Sequence, residues 1–213
     1  RNNKITNTFR KIQRYGEGLT LSNSEAYWKW CSIQSENNAQ NILKHAYNAS
    51  EYNHIKQHVL QHFSKNSTIN DILYADQLLV LPNDMLVKVD RMSMAHSLEV
   101  RSPFLDYRVI EFANSLPQDY KINSKLKKRI LQDSFRNDLP LELYNRPKKG
   151  FEVPLHEWCT TILTDIISEL LNQKFIEEQN IFTCESIKIL LKKLHSHNPG
   201  DSASQVWAII VFQ

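Results

Sequence analysis

The sequence predicts a mainly α chain. Apolar residues recur at helical spacing along most of its length, no alternating apolar and polar run of strand length interrupts them, and Asn, Ser, Thr and Pro fall where helices start and stop. From Ser22, SNSEAYWKWCSI offers Asn23 or Ser24 as a cap, followed by Tyr27, Trp28, Cys31 and Ile33 near helical spacing. NAQNILKHAYNASEYNHIKQHVLQHF is amphipathic in two halves, Ile42, Leu43, Ala46 and Tyr47 and then Ile55, Val59, Leu60 and Phe63, with a break near Asn48 to Ser50. In TINDILYADQLLVLPNDMLVKVDRMSMAHSLEVR, Thr68 or Asn70 caps a helix through Leu79, and Pro82 punctuates. Asn83 or Asp84 then starts a second helix that runs to about Leu98. Pro103 biases Ser102 away from helical dihedrals, which makes VRSPFLD an extended turn. DYRVIEFANSLP is a short helix ended by Pro117, and NSKLKKRILQDSFRNDLP is another, capped at Asn123 or Ser124 and closed by Pro140. LELYNRPKKGFEVPLHEW, with Pro147, Gly150 and Pro154, reads as a loop. HEWCTTILTDIISELLNQKF, CESIKILLKKLHSH and ASQVWAIIVFQ read as three further helices.

Composition narrows the function classes. A chain of 213 residues can bury one good-sized core or two small ones. No apolar run approaches the roughly 18 residues that a membrane span requires. The net charge of +3 comes from scattered Lys and Arg, which argues against nucleic acid as a partner. Cys31, Cys159 and Cys184 are too widely spaced for a zinc ribbon or a disulfide framework, and a reducing cytoplasm suits them. Only four glycines are present, and none builds a loop able to wrap a phosphate. RNNKITNTFRKIQRYGEG has no signal-peptide core, and its start at Arg1 reads as that of a piece of a longer protein.

Two clusters could carry chemistry. On a helix from Asp84 to Leu98, the residues Asp84, Lys88, Arg91 and Ala95 share one face, while Met85, Leu86, Val89, Met92 and Met94 cover most of the rest. Such a helix is expected to be buried, with its charged seam turned either to partners or to a polar cleft. An internal salt-bridge network among Asp84, Lys88, Asp90 and Arg91 is the reading that composition alone favours. Glu99 and Arg101, alternating with Val100, could likewise be a simple ion pair that pins a turn. In NRPKKGFEVP, Arg146, Lys148 and Lys149 flank Pro147, and Gly150 lets the loop fold over an anion; a solvated basic turn fits equally well. His54, His58 and His62 have the spacing of a two-ligand zinc site but lack a third ligand, so a solvated helix face is the favoured reading and no metal site is expected.

Together, LPNDMLVKVDRMSMAHSLEVRSPFLDYRVIEFANSLP and LPLELYNRPKKGFEVPLHEW resemble the C-terminal part of the synthetase domain of glutamine-hydrolysing asparagine synthetases, over about Ile72 to Trp158. The resemblance implies the helical C-terminal portion of an α/β ATP-pyrophosphatase (PP-loop) domain. It would form a single piece over 1–213, with a variable helical segment at 1–66, the signature at 67–158 and C-terminal helices at 159–213. In the family, ATP and Mg²⁺ activate the aspartate side chain as an adenylate, and ammonia released from glutamine displaces AMP. The family's pyrophosphate loop, its acidic motif and its glutaminase domain have no counterpart here, so the piece is expected to be inactive alone. Its exposed docking surface would favour self-association as a homo-oligomer. Carried over, Lys148 is the lysine that steadies the adenylate and pyrophosphate charge. Glu99 and Arg101 lie at the edge of the site, and Asp84, Lys88 and Arg91 line the cleft toward the nucleotide core. Relatives that amidate or cyclise other carboxylates, and a helical interaction module without catalysis, are the alternatives.

Overall fold

A computed structural model describes residues 4–124, 126–145 and 153–213, and among these it is helical with no strand. In order, the helices are α1 (Lys4–Gly18), α2 (Asn23–Cys31), α3 (Glu36–Ile42), α4 (Ala49–Leu60) and α5 (Ile69–Leu78). A π-turn (Leu81–Leu86) leads into α6 (Val87–Met94), and a 3₁₀ turn (Pro103–Leu105) precedes α7 (Tyr107–Ser115). There follow α8 (Gln118–Lys121), α9 (Arg129–Ser134), α10 (Leu141–Asn145), α11 (Leu155–Thr160), α12 (Thr164–Leu170), α13 (Gln173–Gln179), α14 (Cys184–Leu194) and α15 (Ser202–Phe212). The chain divides into two compact units, one of Arg1–Leu21, Glu25–His54 and Gly150–Gln213, the other of Ser22–Ser24 and Ile55–Lys149.

The first unit holds most of the buried apolar side chains. Ile167, Leu171, Ile176, Ile187, Leu194 and Val206, from α12 to α15, form one cluster with Cys159 of α11. Burial pushes the Cys159 thiol above its ordinary pKa, which makes it core filling rather than a nucleophile. An isolated antiparallel bridge between Leu43 and Phe182 ties the end of α3 to this cluster, with Thr183 N donating to Ile42 O (2.9 Å) and Lys44 N to Ile181 O (2.8 Å). Gly18 ends α1 because Trp30 lies against it. A Cβ at Gly18 would fall 2.5 Å from the indole, and Tyr15 stacks on the same ring at 6.0 Å. Of the two glycines of YGEG, Gly18 therefore serves packing, while a Cβ at Gly16 would meet nothing within 4 Å. Trp28 Nε1 donates to the Tyr52 hydroxyl (2.7 Å), which donates to Glu36 (2.8 Å). Desolvation, reinforced by Glu36, pushes the Tyr52 pKa up to about 12 although the Trp28 bond opposes it.

In the second unit, only Val59 and Ala75 among the described apolar residues are buried. Thr68 caps α5 in a capping box with Asp71, as the sequence predicts. Gln77 of α5 and Asn114 of α7 exchange two amide hydrogen bonds, 2.9 and 3.1 Å, and Asn70 Nδ2 donates to Leu116 O.

Several sequence expectations are corrected. A helix at Lys4–Gly18 was not anticipated. Pro82 does not end the helix before it: Leu79, Val80, Leu86 and Val87 all keep right-handed helical dihedrals, and the π-turn carries the chain through. The helix expected from Asn123 is confined to Arg129–Ser134, because Lys128 just ahead of it is left-handed (φ 57°). The segment read as a loop after Leu141 is helical at Leu141–Asn145 and Leu155–Thr160, while Arg146, Lys148, Lys149 and Gly150 lie outside the described residues.

The helix expected to reach Leu98 stops at Met94. Leu98 N bonds Ser93 O (2.9 Å) and Ser97 N bonds Met94 O (3.0 Å), the hydrogen bonds of a Schellman ending, with Ser97 at φ 56° where glycine is the usual occupant. Ser97→Gly is expected to stabilise the protein by about 0.5–1 kcal/mol, the relief of left-handed strain less the entropy glycine adds to the unfolded chain. Urea denaturation with an unchanged m-value would check it.

Candidate functional site

The residues predicted for the site follow one another along the rod from α5 to α6 and the turn beyond it. Asp84 stands in the π-turn, and Lys88 and Arg91 stand on α6, all three exposed. The expected burial of this helix is overturned: no residue of the π-turn or α6 is buried, and Val89 (47%), Met92 (62%) and Met94 (56%) are open to solvent. Apolar periodicity identifies a face that seeks cover, and among the described residues nothing covers this one. The internal salt-bridge network is absent too. Among the described residues, no ion pair joins Asp84, Lys88, Asp90 or Arg91 to one another or to any other side chain. The seam is thus two cations and a carboxylate facing outward and unspent.

Beyond the left-handed Ser97 the chain turns into the segment that carries Glu99 and Arg101. These two form an ion pair, as the simpler reading expected, and both are exposed. An exposed pair two residues apart contributes little to stability; its effect is to fix the local conformation. Asp106 accepts from Arg108 N (2.9 Å) as the cap of α7 and is clamped by the Arg108 guanidinium, from Nε at 2.9 Å and Nη2 at 2.7 Å. Arg108, by its side chain first and its backbone N–H second, holds the Asp106 carboxyl below the usual carboxylate range. The Asp106 and Arg108 charges are therefore structural. Lys148 lies outside the described residues.

A crevice of about 370 Å³ opens among α5, the π-turn, α7 and α8, lined in part by Leu73, Gln77, Val80, Met85, Asn114 and Lys121. Its amides bond each other, and Lys121 Nζ donates to Asn114 O (3.5 Å). Partial burial lowers the Lys121 pKa. None of the five described residues predicted for the site, Asp84, Lys88, Arg91, Glu99 and Arg101, lines it. Among the described residues no group of three or more His, Cys, Asp or Glu could hold a metal, and His54, His58 and His62 are exposed, as expected for a solvated face. No described helix is long and apolar enough to cross a membrane.

A family model described as asparagine synthase matches residues 2–213. The chain belongs to the asparagine synthase family. That family's domain has the α/β ATP-pyrophosphatase fold, of which this chain is a mainly helical portion. It is similar to "Asparagine synthetase [glutamine-hydrolyzing] 1" of Bacillus subtilis, 26% identical over 84% of this chain and 28% of the relative. It also resembles a putative asparagine synthetase of Mycobacterium tuberculosis, 31% identical over 65% of this chain and 21% of the relative. A mouse asparagine synthetase is 41% identical over 31% of this chain and 12% of the relative. The chain thus spans between a fifth and about three tenths of the length of the first two relatives. No solved structure matches it significantly.

Sequence reasoning missed two site-shaping residues, Asn83 and Ser97. Asn83 Nδ2 donates to Leu79 O (2.8 Å) inside the π-turn. A signal for the turn exists in the sequence: a helix phased on Leu73, Gln77 and Val80 returns at Asp84, Lys88 and Arg91, whereas the apolar Met85, Val89 and Met92 stand one position later.

At neutral pH, Asp106→Ala is expected to lower stability through loss of the cap. Because the folded pKa of Asp106 is depressed, the wild-type advantage is present above the ordinary value near about 4 and is lost as pH falls through the lower folded value. Thermal melts of both proteins from pH 7 to pH 2 should converge at the acid end.

Proposed function

We propose that this chain is the helical part of the synthetase domain of an ATP-dependent, glutamine-hydrolysing asparagine synthetase, and that Lys88 and Arg91 face the anionic side of its ligand. The observation that carries the reading is the pair of exposed cations of α6, which no carboxylate among the described residues pairs, within a family-matched chain. Cations without carboxylate partners are suited to phosphate oxygens, and the planar guanidinium of Arg91 can engage two of them at once. Asp84, a turn earlier, sets the acidic edge of the same face. Glu99, held by Arg101, borders the reacting carboxyl, and Lys148 supplies positive charge where pyrophosphate leaves and the adenylate forms.

ATP, when bound, supplies the adenylyl group that makes the aspartate side chain an acyl donor, and the cations of this chain orient its phosphates. The described residues do not offer a carboxylate cluster fit to hold Mg²⁺, and no step here runs through the metal. Met85, Val89, Met92, Met94, Val100 and Phe104, all exposed, are the surface that the family's nucleotide core would cover.

The test uses the full-length protein with aspartate, glutamine and MgATP. Lys148→Ala should cut pyrophosphate and asparagine formation by about 100-fold or more while glutaminase activity persists. Arg91→Ala should raise KM for ATP by about tenfold with a smaller change in kcat. Undiminished synthesis in either variant removes that residue from the site, and absence of aspartate-dependent pyrophosphate release in the wild type removes the assignment.

A further inference from the structure

At about 100° per residue, Leu73, Gln77, Val80 and Leu81 fall within roughly 100° of arc on α5 and its extension, and all four line the crevice beside α7. An uninterrupted α-helix would continue that stripe through Asp84, Lys88 and Arg91, turning three charges toward α7. The structure does otherwise: Met85, and not Asp84, lines the crevice. A π-turn takes up about one residue more than an α-turn, so positions beyond it lag by one. Met85, Val89 and Met92 then continue the apolar stripe, and the charged seam is carried about 100° away from it.

Two residues build this turn. Pro82 has no N–H to give to an α-helical ladder, and the carboxamide of Asn83 covers the Leu79 carbonyl at 2.8 Å. We propose that Asn83 is a positioning residue for the synthetase reaction: by holding the extra residue of the Leu81–Leu86 turn, it aims Asp84, Lys88 and Arg91 at the ligand while keeping Met85 on the crevice. The inference rests on the synthetase reading given above. Without the carboxamide the turn relaxes toward α-helix, and the seam rotates toward the α7 side.

Deletion of Pro82 distinguishes aim from stability, because it removes the extra residue and the proline ring together. The rod becomes continuous α-helix with the same seam direction, and Asn83 has no turn left to hold. In the full-length protein, Asn83→Ala should lower kcat/KM for ATP in pyrophosphate release by about tenfold or more, with glutaminase activity unchanged. The Pro82 deletion should stay within about threefold of wild type, and Asn83→Ala should add nothing in that background.

An equal loss from Asn83→Ala in both backgrounds would mean a stability role and overturn the proposal. So would a Pro82 deletion that loses pyrophosphate release with an unchanged thermal transition, or one that cannot fold, since the register account says both stripes survive it. Failure of the synthetase reading looks different: the wild-type protein itself shows no aspartate-dependent pyrophosphate release, so there is no activity for the Asn83 variants to lower.

Discussion

The constraint on which the second unit depends is register along one helical rod. From Ile69 to Met94 a single run of helical backbone keeps Leu73, Gln77, Val80, Leu81 and Met85 on the crevice beside α7 and leaves Asp84, Lys88 and Arg91 exposed. An ideal α-helix cannot do both with this sequence, because its spacing would bring Asp84, Lys88 and Arg91 onto the stripe that Leu73, Gln77 and Val80 begin. The π-turn at Pro82 resolves the conflict by absorbing one residue. Everything proposed for the charged face follows from where that residue is absorbed.

The two units solve burial differently. The first closes a core of its own from α11 to α15, with Leu194 and Val206 fully enclosed. Among the described apolar residues the second encloses only Val59 and Ala75, leaving Met92, Phe104 and Phe112 each about three-fifths exposed. Large apolar side chains exposed in such number on one unit are what a face made for another body would show. For a chain covering about three tenths or less of its first relatives, a synthetase core is the body that the family relationship nominates.

How much of this the sequence disclosed differs from residue to residue. The helical class, the Thr68 cap, the helix after Asp106 and the last two helices were legible, because caps and apolar periodicity are local signals, whereas HEWCTTILTDIISELLNQKF, read as one helix, is broken into α11, α12 and α13. The Pro82 turn was not: proline reads locally as a stop, and only comparing the stripe before it with the stripe after it shows that one residue has been skipped. The left-handed Ser97 and Lys128 were invisible because neither is a residue that favours positive φ. The expected burial of α6 failed for a different reason. Its periodicity states which side is apolar, and whether that side is covered depends on atoms other than its own. The candidate site residues came from the resemblance to family motifs, and the structure adds that Asp84, Lys88 and Arg91 are exposed.

The distribution of ion pairs carries the argument one step further. Glu99 pairs with Arg101, Asp106 with Arg108, and Asp133 with both Arg129 and Arg136, all within four residues and all partly or largely exposed. Pairs like these contribute little to stability, and their role is to hold turns and helix ends in shape. On α6 no carboxylate among the described residues pairs with Lys88 or Arg91, although Asp84 stands four residues before Lys88. In the open, that arrangement costs nothing, since water solvates each charge. Once a body covers Val89 and Met92 beside them, Lys88 and Arg91 lose that water, and an ammonium or guanidinium so enclosed must meet an anion or destabilise the assembly by several kcal/mol. Under the proposed function a phosphate-bearing ligand at the same junction would provide that anion, and closure over the apolar stripe and retention of the nucleotide would then favour each other.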